Sequence, residues 1–94
     1  METYHFIITG LVQGVFYRKT IQQMGSLGHI RGYVRNLDDG SVEVVADLYE
    51  DQLDEFIMVL KNGSPSSKVE NVTYTTIELD EDELIYDGFE IRYN

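Results

Sequence analysis

The chain has 94 residues, of which 43% are hydrophobic and 12% aromatic, and its formal net charge at pH 7 is −10. This length is typical of one domain, and the apolar content is sufficient for a core without metal or disulfide cross-links, so we expect residues 1–94 to form a single domain. Because the chain has no cysteine, a disulfide framework, a thiolate nucleophile and cysteine-based metal sites are excluded.

The first predicted elements are a strand, a loop and a helix. Thr3–Thr9 is rich in β-branched and aromatic residues, which is typical of a buried strand. After the loop Leu11–Tyr17, apolar residues fall at helical spacing from Arg18 to about Leu27, and Gly28 is a plausible helix end. Gly25 inside this helix predicts close packing on a sheet, because a glycine there otherwise only costs stability.

A hairpin follows. Residues 30–36 (IRGYVRN) and 41–47 (SVEVVAD) are both predicted strands, and Asp39-Gly40 in the short connection is a hairpin signal.

The second half predicts one helix and two strands. Four apolar residues at i, i+3, i+4 and i+7 define the helix, which has acidic residues at its start and Gly63 after its end. These four are Leu53, Phe56, Ile57 and Leu60. Val69–Ile77 is a predicted strand, LDEDEL (79–84) a solvated acidic loop, and the alternation over 89–93 predicts a short last strand.

The order of these elements predicts the fold. Strand, helix, strand, strand, helix, strand is the ferredoxin-like split βαβ arrangement (βαββαβ) of the α+β class, here with a short extra strand near the C-terminus. We expect an antiparallel sheet with both helices packed on one face. Because this fold carries many functions, the function has to be inferred from the residues of the site and not from the fold.

The distribution of charge bears on possible partners. Residues 1–46 contain four Lys/Arg and four Asp/Glu, whereas residues 47–94 contain three Lys/Arg and thirteen Asp/Glu. Such a chain repels nucleic acid, which is bound through basic surfaces, so we expect no nucleic-acid partner. The balanced first half can still bind a small anion, and the high net charge favours a monomer.

The sequence also bears on the compartment. METYHFIITG at the N-terminus lacks the basic and apolar regions of a signal peptide, and no apolar run approaches about 20 residues. With the lack of cysteine, these features predict a soluble cytoplasmic protein with no membrane partner.

The segment GLVQGVFYR (10–18) is the main candidate for chemistry. Backbone N–H groups of a glycine loop at a helix N-terminus can converge on an anion, and Gly14 adds no Cβ to obstruct it. Arg18 supplies a planar fork of donors that matches two phosphate oxygens. An ordinary strand-to-helix turn is the alternative for these residues taken alone.

Other catalytic arrangements find little support in the sequence. His5 and His29 have no Ser or Cys partner at a suggestive spacing, and the loop is not a P-loop because Arg18 precedes Lys19 where that motif has glycine. The acidic residues lack the spacing of a calcium loop. We therefore expect neither a metal nor a cofactor.

Two motifs resemble the acylphosphatase family. GLVQGVFYR is similar to its signature G-x-V-Q-G-V-x-[F/Y]-R, and GYVRNLDDGSVEV (32–44) to its second motif G-[W/Y]-V-x-N-x-x-D-G-x-V-E. GSPSSKV (63–69) and FEIRY (89–93) also resemble the family. The similarity spans nearly the whole chain, with the motifs in the family's order and spacing.

The resemblance implies a hydrolase that cleaves small acyl phosphates to a carboxylate and inorganic phosphate without a metal. It implies that Arg18 binds the phosphoryl group and that Asn36 orients the attacking water. The backbone of five loop residues would cradle the same phosphate oxygens. These five are Gln13, Gly14, Val15, Phe16 and Tyr17.

Four positions depart from the family pattern. His29 stands where a glycine is usual, which predicts a different end to the first helix, and Leu48 replaces a frequent glycine after the third strand. Phe16 lies at a variable position and Tyr17 replaces the commoner Phe. None of these changes Arg18 or Asn36, so we expect activity to survive them.

Two other functions stay open from the sequence. One is a non-catalytic ferredoxin-like module that binds an anion or a protein partner through its sheet edge. The other is a carbamoyl-phosphate-handling relative of the domain found in larger maturation enzymes.

Overall fold

Five strands and two helices make up most of the chain in the computed structural model, which describes residues 1–78 and 87–93. In chain order they are β1 (Glu2–Leu11), α1 (Tyr17–Leu27), β2 (Arg31–Asn36), β3 (Val42–Leu48), α2 (Leu53–Asn62), β4 (Lys68–Ile77) and β5 (Phe89–Arg92). A 3-10 turn, Glu50–Gln52, leads into α2. The predicted elements are confirmed, with boundaries that differ by one or two residues. The predicted acidic loop 79–84 lies outside the described residues.

The sheet has the strand order β4-β1-β3-β2-β5. All neighbours among β1 to β4 are antiparallel, as predicted, whereas β5 runs parallel to β2 and makes the whole sheet mixed. The alternating residues of β5 predicted a strand but contain no information about its neighbour or direction, because alternation records only which face is buried.

Both helices pack on one face of the sheet, as predicted. Tyr4, Phe6 and Ile8 alternate along β1 and are buried on that face. The Phe6 ring lies 5.4 Å from the ring of Phe56 on α2, and a buried hydrogen bond of 2.7 Å from the Tyr17 hydroxyl to the Leu60 carbonyl joins the helices. Each such buried apolar side chain contributes about 1.5–3 kcal/mol to stability.

Gly25 provides the close approach between α1 and the sheet. It is buried, and a Cβ at this position would overlap the Phe89 ring of β5. The packing role predicted for this glycine is thus confirmed, and the sequence pattern could not name Phe89 as the neighbour.

At the end of α1, His29 occupies the position where glycine is usual. Gly28 caps the helix, the N–H of His29 donates to the Ser26 carbonyl, and the N–H of Ile30 donates to the Gly25 carbonyl. This is a Schellman motif, whose left-handed position is normally occupied by glycine. Here His29 occupies it, with φ 54°.

Polar and charged side chains occupy the opposite face of the sheet. The Glu43 carboxylate accepts hydrogen bonds from Arg35 (2.6 Å) and the Tyr33 hydroxyl (3.2 Å), and it lies 2.8 Å from Nε2 of His5. Arg31 pairs with Asp47 at 3.3 Å. Arg31 and Arg35 therefore pair with acidic residues of β3.

Strand directions determine where the functional loop lies. β1 and β2 are both antiparallel to β3, and β5 is parallel to β2. The C-terminal ends of β1, β2 and β5 therefore lie at the same end of the sheet. Residues that follow these ends are brought together there.

Candidate active site

A pocket of about 370 Å³ lies where the ends of β1, β2 and β5 meet. Its lining residues are Val12, Gly14, Phe16, Tyr17, Arg18, Lys19, Asn36, Ile91 and Tyr93. The structure thus brings Arg18 and Asn36 together with three residues of the predicted cradle. The other two, Gln13 and Val15, lie in the same loop but do not line the pocket.

The loop from Val12 to Phe16 has two residues in the left-handed region, Gly14 with φ 73° and Phe16 with φ 62°. A Cβ on Gly14 would meet no atom within 4 Å, so its backbone faces open space. Phe16 is the N-cap of α1, and its carbonyl accepts bonds from the N–H (3.1 Å) and the hydroxyl (3.0 Å) of Thr20. A loop with left-handed residues leading into a helix N-terminus can direct N–H groups at an anion.

Two side-chain contacts fix the loop from opposite sides. The Gln13 amide nitrogen donates to the carbonyls of Leu37 and Ser41, both at 2.8 Å. On the other side, the buried Ser64 hydroxyl donates to the Val15 carbonyl at 2.6 Å. The loop is therefore tied to the β2–β3 hairpin and to the segment that follows α2.

The position of Tyr17 is fixed by burial. Its ring is 1% exposed, and its hydroxyl donates to the Leu60 carbonyl. Burial raises the pKa of this hydroxyl well above its usual range, so it stays protonated and keeps the helix start fixed against α2.

Arg18 lies in the first turn of α1 and is partly exposed. The central carbon of its guanidinium lies 4.9 Å from the centroid of the Tyr93 ring, within the range of a cation–π contact. Among the carboxylates of residues 1–78 and 87–93, none forms an ion pair with Arg18. Its positive charge therefore lies at the pocket without an acid from this part of the chain to neutralise it.

Asn36 is the last residue of β2 and pairs with Val42 of β3. The turn that follows is closed by a hydrogen bond of 2.9 Å from the Leu37 N–H to the Ser41 carbonyl. The Asp39 carboxylate accepts bonds from the hydroxyl and the N–H of Ser41, and these bonds hold its pKa below the usual range. Asn36 thus lies at the base of a hydrogen-bonded hairpin turn and lines the pocket.

Three contacts that hold the site together were not predicted from the sequence. The Gln13 side chain, Ser64 and Tyr93 all act through contacts with residues at least 24 positions away. GSPSSKV and FEIRY were noted as similar to the family, and that similarity was the only signal pointing to Ser64 and Tyr93.

In residues 1–78 and 87–93, no three His, Asp or Glu side chains are grouped closely enough to hold a metal ion. No helix in these residues has the length and apolar character needed to cross a bilayer.

Comparison with known proteins gives a consistent result. The family model described as Acylphosphatase matches residues 4–91. A protein of Bacillus subtilis (strain 168) named acylphosphatase is 41% identical over 80% of this chain and 82% of its own. One of Haloquadratum walsbyi with the same name is 42% identical over 94% of this chain and 90% of its own. The crystal structure of acylphosphatase from Bacillus subtilis superimposes with a TM-score of 0.87 at 38% identity, covering 99% of this chain and all of that one.

Proposed function

The chain belongs to the acylphosphatase family of enzymes, and on this basis we propose that it hydrolyses small acyl phosphates at the pocket that contains Arg18 and Asn36. The products are a carboxylate and inorganic phosphate, and no metal takes part. The observation that carries this proposal is the convergence of Arg18, the Gly14 loop and Asn36 on one pocket.

In this proposal, Arg18 binds the phosphoryl group. Its guanidinium can donate two parallel hydrogen bonds to phosphate oxygens, and the N–H groups of residues 13–17 donate to the same oxygens. Each charge-assisted bond contributes roughly 1.5–3 kcal/mol. The lack of an acidic partner for Arg18 in the described residues supports this role, because its charge is available to an anionic substrate.

Asn36 orients the attacking water through a hydrogen bond from its side-chain amide. The water oxygen bonds to phosphorus while the bond from phosphorus to the acyl oxygen breaks, and its electron pair leaves on the carboxylate. A phosphate oxygen of the substrate takes the proton of the water. Holding the water in line can supply a large part of the rate, since phosphoryl transfer depends mostly on positioning and charge stabilisation.

The chemistry of the leaving group explains why so few catalytic groups suffice. A carboxylate has a conjugate acid with a pKa of about 4, so it leaves at neutral pH without a general acid. The proposed site accordingly uses one cation, a loop of N–H groups and one amide.

The proposal also covers the domain organisation, oligomeric state, compartment and partners of the enzyme. We propose that residues 1–94 act as one domain, as a monomer in the cytoplasm, on a small-molecule substrate without nucleic acid. The net charge of −10 supports both the monomer and the lack of a nucleic-acid partner.

The test is phosphate release from benzoyl phosphate by the purified protein in the presence of EDTA. We expect turnover that EDTA does not reduce, and competitive inhibition by inorganic phosphate. A folded protein that releases no phosphate would favour the non-catalytic anion-binding or protein-interaction module instead. Turnover that EDTA abolishes would contradict the metal-independent mechanism.

A further inference from the structure

Two aromatic side chains at the rim of the pocket are unusually exposed. Phe16 is 77% exposed and Tyr93 is 75% exposed, and they are the two most exposed aromatic residues in the part of the chain that the structure describes. Both line the same pocket. Large apolar side chains grouped at a pocket are typical of a ligand-binding surface.

The backbone of Phe16 supports a functional reason for its ring. Its φ of 62° lies in the left-handed region, where a bulky side chain is unfavourable and glycine or asparagine is preferred. Its ring packs into no core cluster. The fold therefore holds an unfavourable conformation that places an aromatic ring at the mouth of the site, and such strain is often found where it serves binding.

Tyr93 follows β5 and lines the same pocket as this loop. Because β5 is parallel to β2, with Arg92 beside Arg35, Tyr93 lies next to the strand end that carries Asn36. Its ring contacts the Arg18 guanidinium at 4.9 Å. Anything attached to a phosphate on Arg18 therefore has an aromatic ring close by.

Two further apolar residues line the pocket. Val12 is buried and Ile91 is partly buried, and both line the pocket. A phosphoryl group at Arg18 and the Gly14 loop leaves the exposed rings of Phe16 and Tyr93 to the rest of the substrate.

We propose that Phe16 and Tyr93 form a subsite for the acyl group, and that the enzyme selects acyl phosphates whose acyl group is apolar and about the size of benzoyl. Acetyl phosphate and carbamoyl phosphate, which are small or polar, gain nothing from this subsite. The inference rests on the proposed function, since it assigns the substrate class of the same site.

Lys19 is the other charged side chain among the described residues that line the pocket. An ammonium group there would favour an acyl group that carries its own negative charge. The test therefore has to separate an aromatic contact from a charge contact.

The experiment compares kcat/KM for benzoyl phosphate with kcat/KM for acetyl phosphate in each variant. In each protein, kcat/KM for benzoyl phosphate is divided by kcat/KM for acetyl phosphate. Comparing this ratio between a variant and the wild type cancels the difference in intrinsic reactivity between the two substrates. We expect Tyr93→Ala and Phe16→Asn each to lower this ratio by about fivefold to tenfold, the range that one aromatic contact supports. Asn is chosen at position 16 because it adopts the left-handed conformation readily.

Two matched variants serve as controls for this ratio. Tyr93→Phe keeps the ring and should keep the ratio within about twofold of the wild type. Leu27→Ala removes a comparably exposed apolar side chain, 76% exposed, from the far end of α1, and should not change the ratio. Lys19→Gln should also leave it unchanged, because neither the benzoyl nor the acetyl group carries a charge, and a fall in this variant alone would assign acyl recognition to Lys19 and overturn the proposal.

The binding of two phosphonates tests the proposed subsite independently of turnover. We expect the wild type to bind benzylphosphonate more tightly than methylphosphonate, and Tyr93→Ala to lose about fivefold of that preference. If the wild type turns over neither acyl phosphate, the proposed function fails while this preference still tests the subsite. Equal affinity for both phosphonates, or ratios unchanged in both Phe16→Asn and Tyr93→Ala, would overturn the subsite while leaving the hydrolase intact.

Discussion

The side-chain amide nitrogen of Gln13 lies 2.8 Å from the carbonyl oxygen of Leu37, the residue that follows Asn36. The same nitrogen donates to the Ser41 carbonyl at the other side of the hairpin. One side chain thus joins the loop at residues 12–16 to the strand end that carries Asn36. The distance between the two halves of the proposed site depends directly on these bonds.

Replacing Gln13 with alanine should lower both stability and activity. Loss of two hydrogen bonds should reduce the free energy of unfolding by about 1–2 kcal/mol. Because a small displacement of the loop is costly to catalysis, kcat/KM for benzoyl phosphate should fall by roughly 10- to 100-fold. Urea unfolding and steady-state kinetics check the two effects, with Gln23→Ala, an exposed glutamine of α1, as the control. A loss of stability with unchanged kcat/KM would show that Gln13 holds the fold but not the site.

Replacing His29 with glycine should stabilise the protein. His29 takes the left-handed position of the Schellman motif with φ 54°, where a residue with a Cβ is disfavoured. Relief of this cost, less the greater chain entropy of glycine, should raise the free energy of unfolding by about 0.5–1 kcal/mol. Thermal unfolding measures this as an increase in Tm of about 2–6 °C. The neighbouring variant Leu27→Gly should have the opposite effect, because Leu27 lies within the helix. A lower Tm for His29→Gly would mean that the histidine side chain stabilises this turn.

The stability of the protein should fall in acid, partly through Glu43. Burial opposes ionisation of this carboxyl, but the hydrogen bonds from Arg35 and His5 outweigh burial and hold its pKa below the usual range. A carboxyl whose pKa is lower in the folded state stabilises the fold above its unfolded pKa, about 4.3. That contribution is lost as the pH falls below this value through the folded pKa.

The variant Glu43→Gln tests this account of acid sensitivity. It should be less stable than the wild type at pH 7 by roughly 1–3 kcal/mol, because it loses the charge-assisted hydrogen bond between the Glu43 carboxylate and Arg35. The difference between the two proteins should shrink as the pH is lowered from 5 to 3, as measured by urea unfolding at each pH. A difference that stays constant across this range would show that Glu43 does not titrate with folding.

The sequence predicted the elements well because each has a local signal. The apolar stripe of α2 and the alternation in β5 follow from burial of one face, and these patterns need no knowledge of the partner. The parallel pairing of β5 with β2 has no such signal, since it depends on where the chain returns after β4. Close packing at Gly25 was likewise predicted, but the sequence could not identify Phe89 as the residue against which it packs.

For the candidate site, the sequence predicted the two main residues but not the contacts that hold the site together. Arg18 and Asn36 were identified through motifs, and the directions of β1 and β2 explain why residues 18 positions apart line one pocket. The anchoring contacts of Gln13 and Ser64, and the ring of Tyr93 beside Arg18, connect distant segments. Such contacts are set by the assembled sheet, so no spacing in the sequence predicts them.

The most direct measurement of the central claim is the kinetics of Arg18→Ala and Asn36→Ala with benzoyl phosphate in EDTA, together with the inhibition constant for inorganic phosphate. Asn36→Ala should lower kcat by about 100- to 1,000-fold, the effect of removing one transition-state contact, while phosphate affinity changes little. Arg18→Ala should lose both turnover and phosphate affinity. If either variant keeps wild-type kcat and phosphate inhibition, the assignment of the active site to this pocket is contradicted.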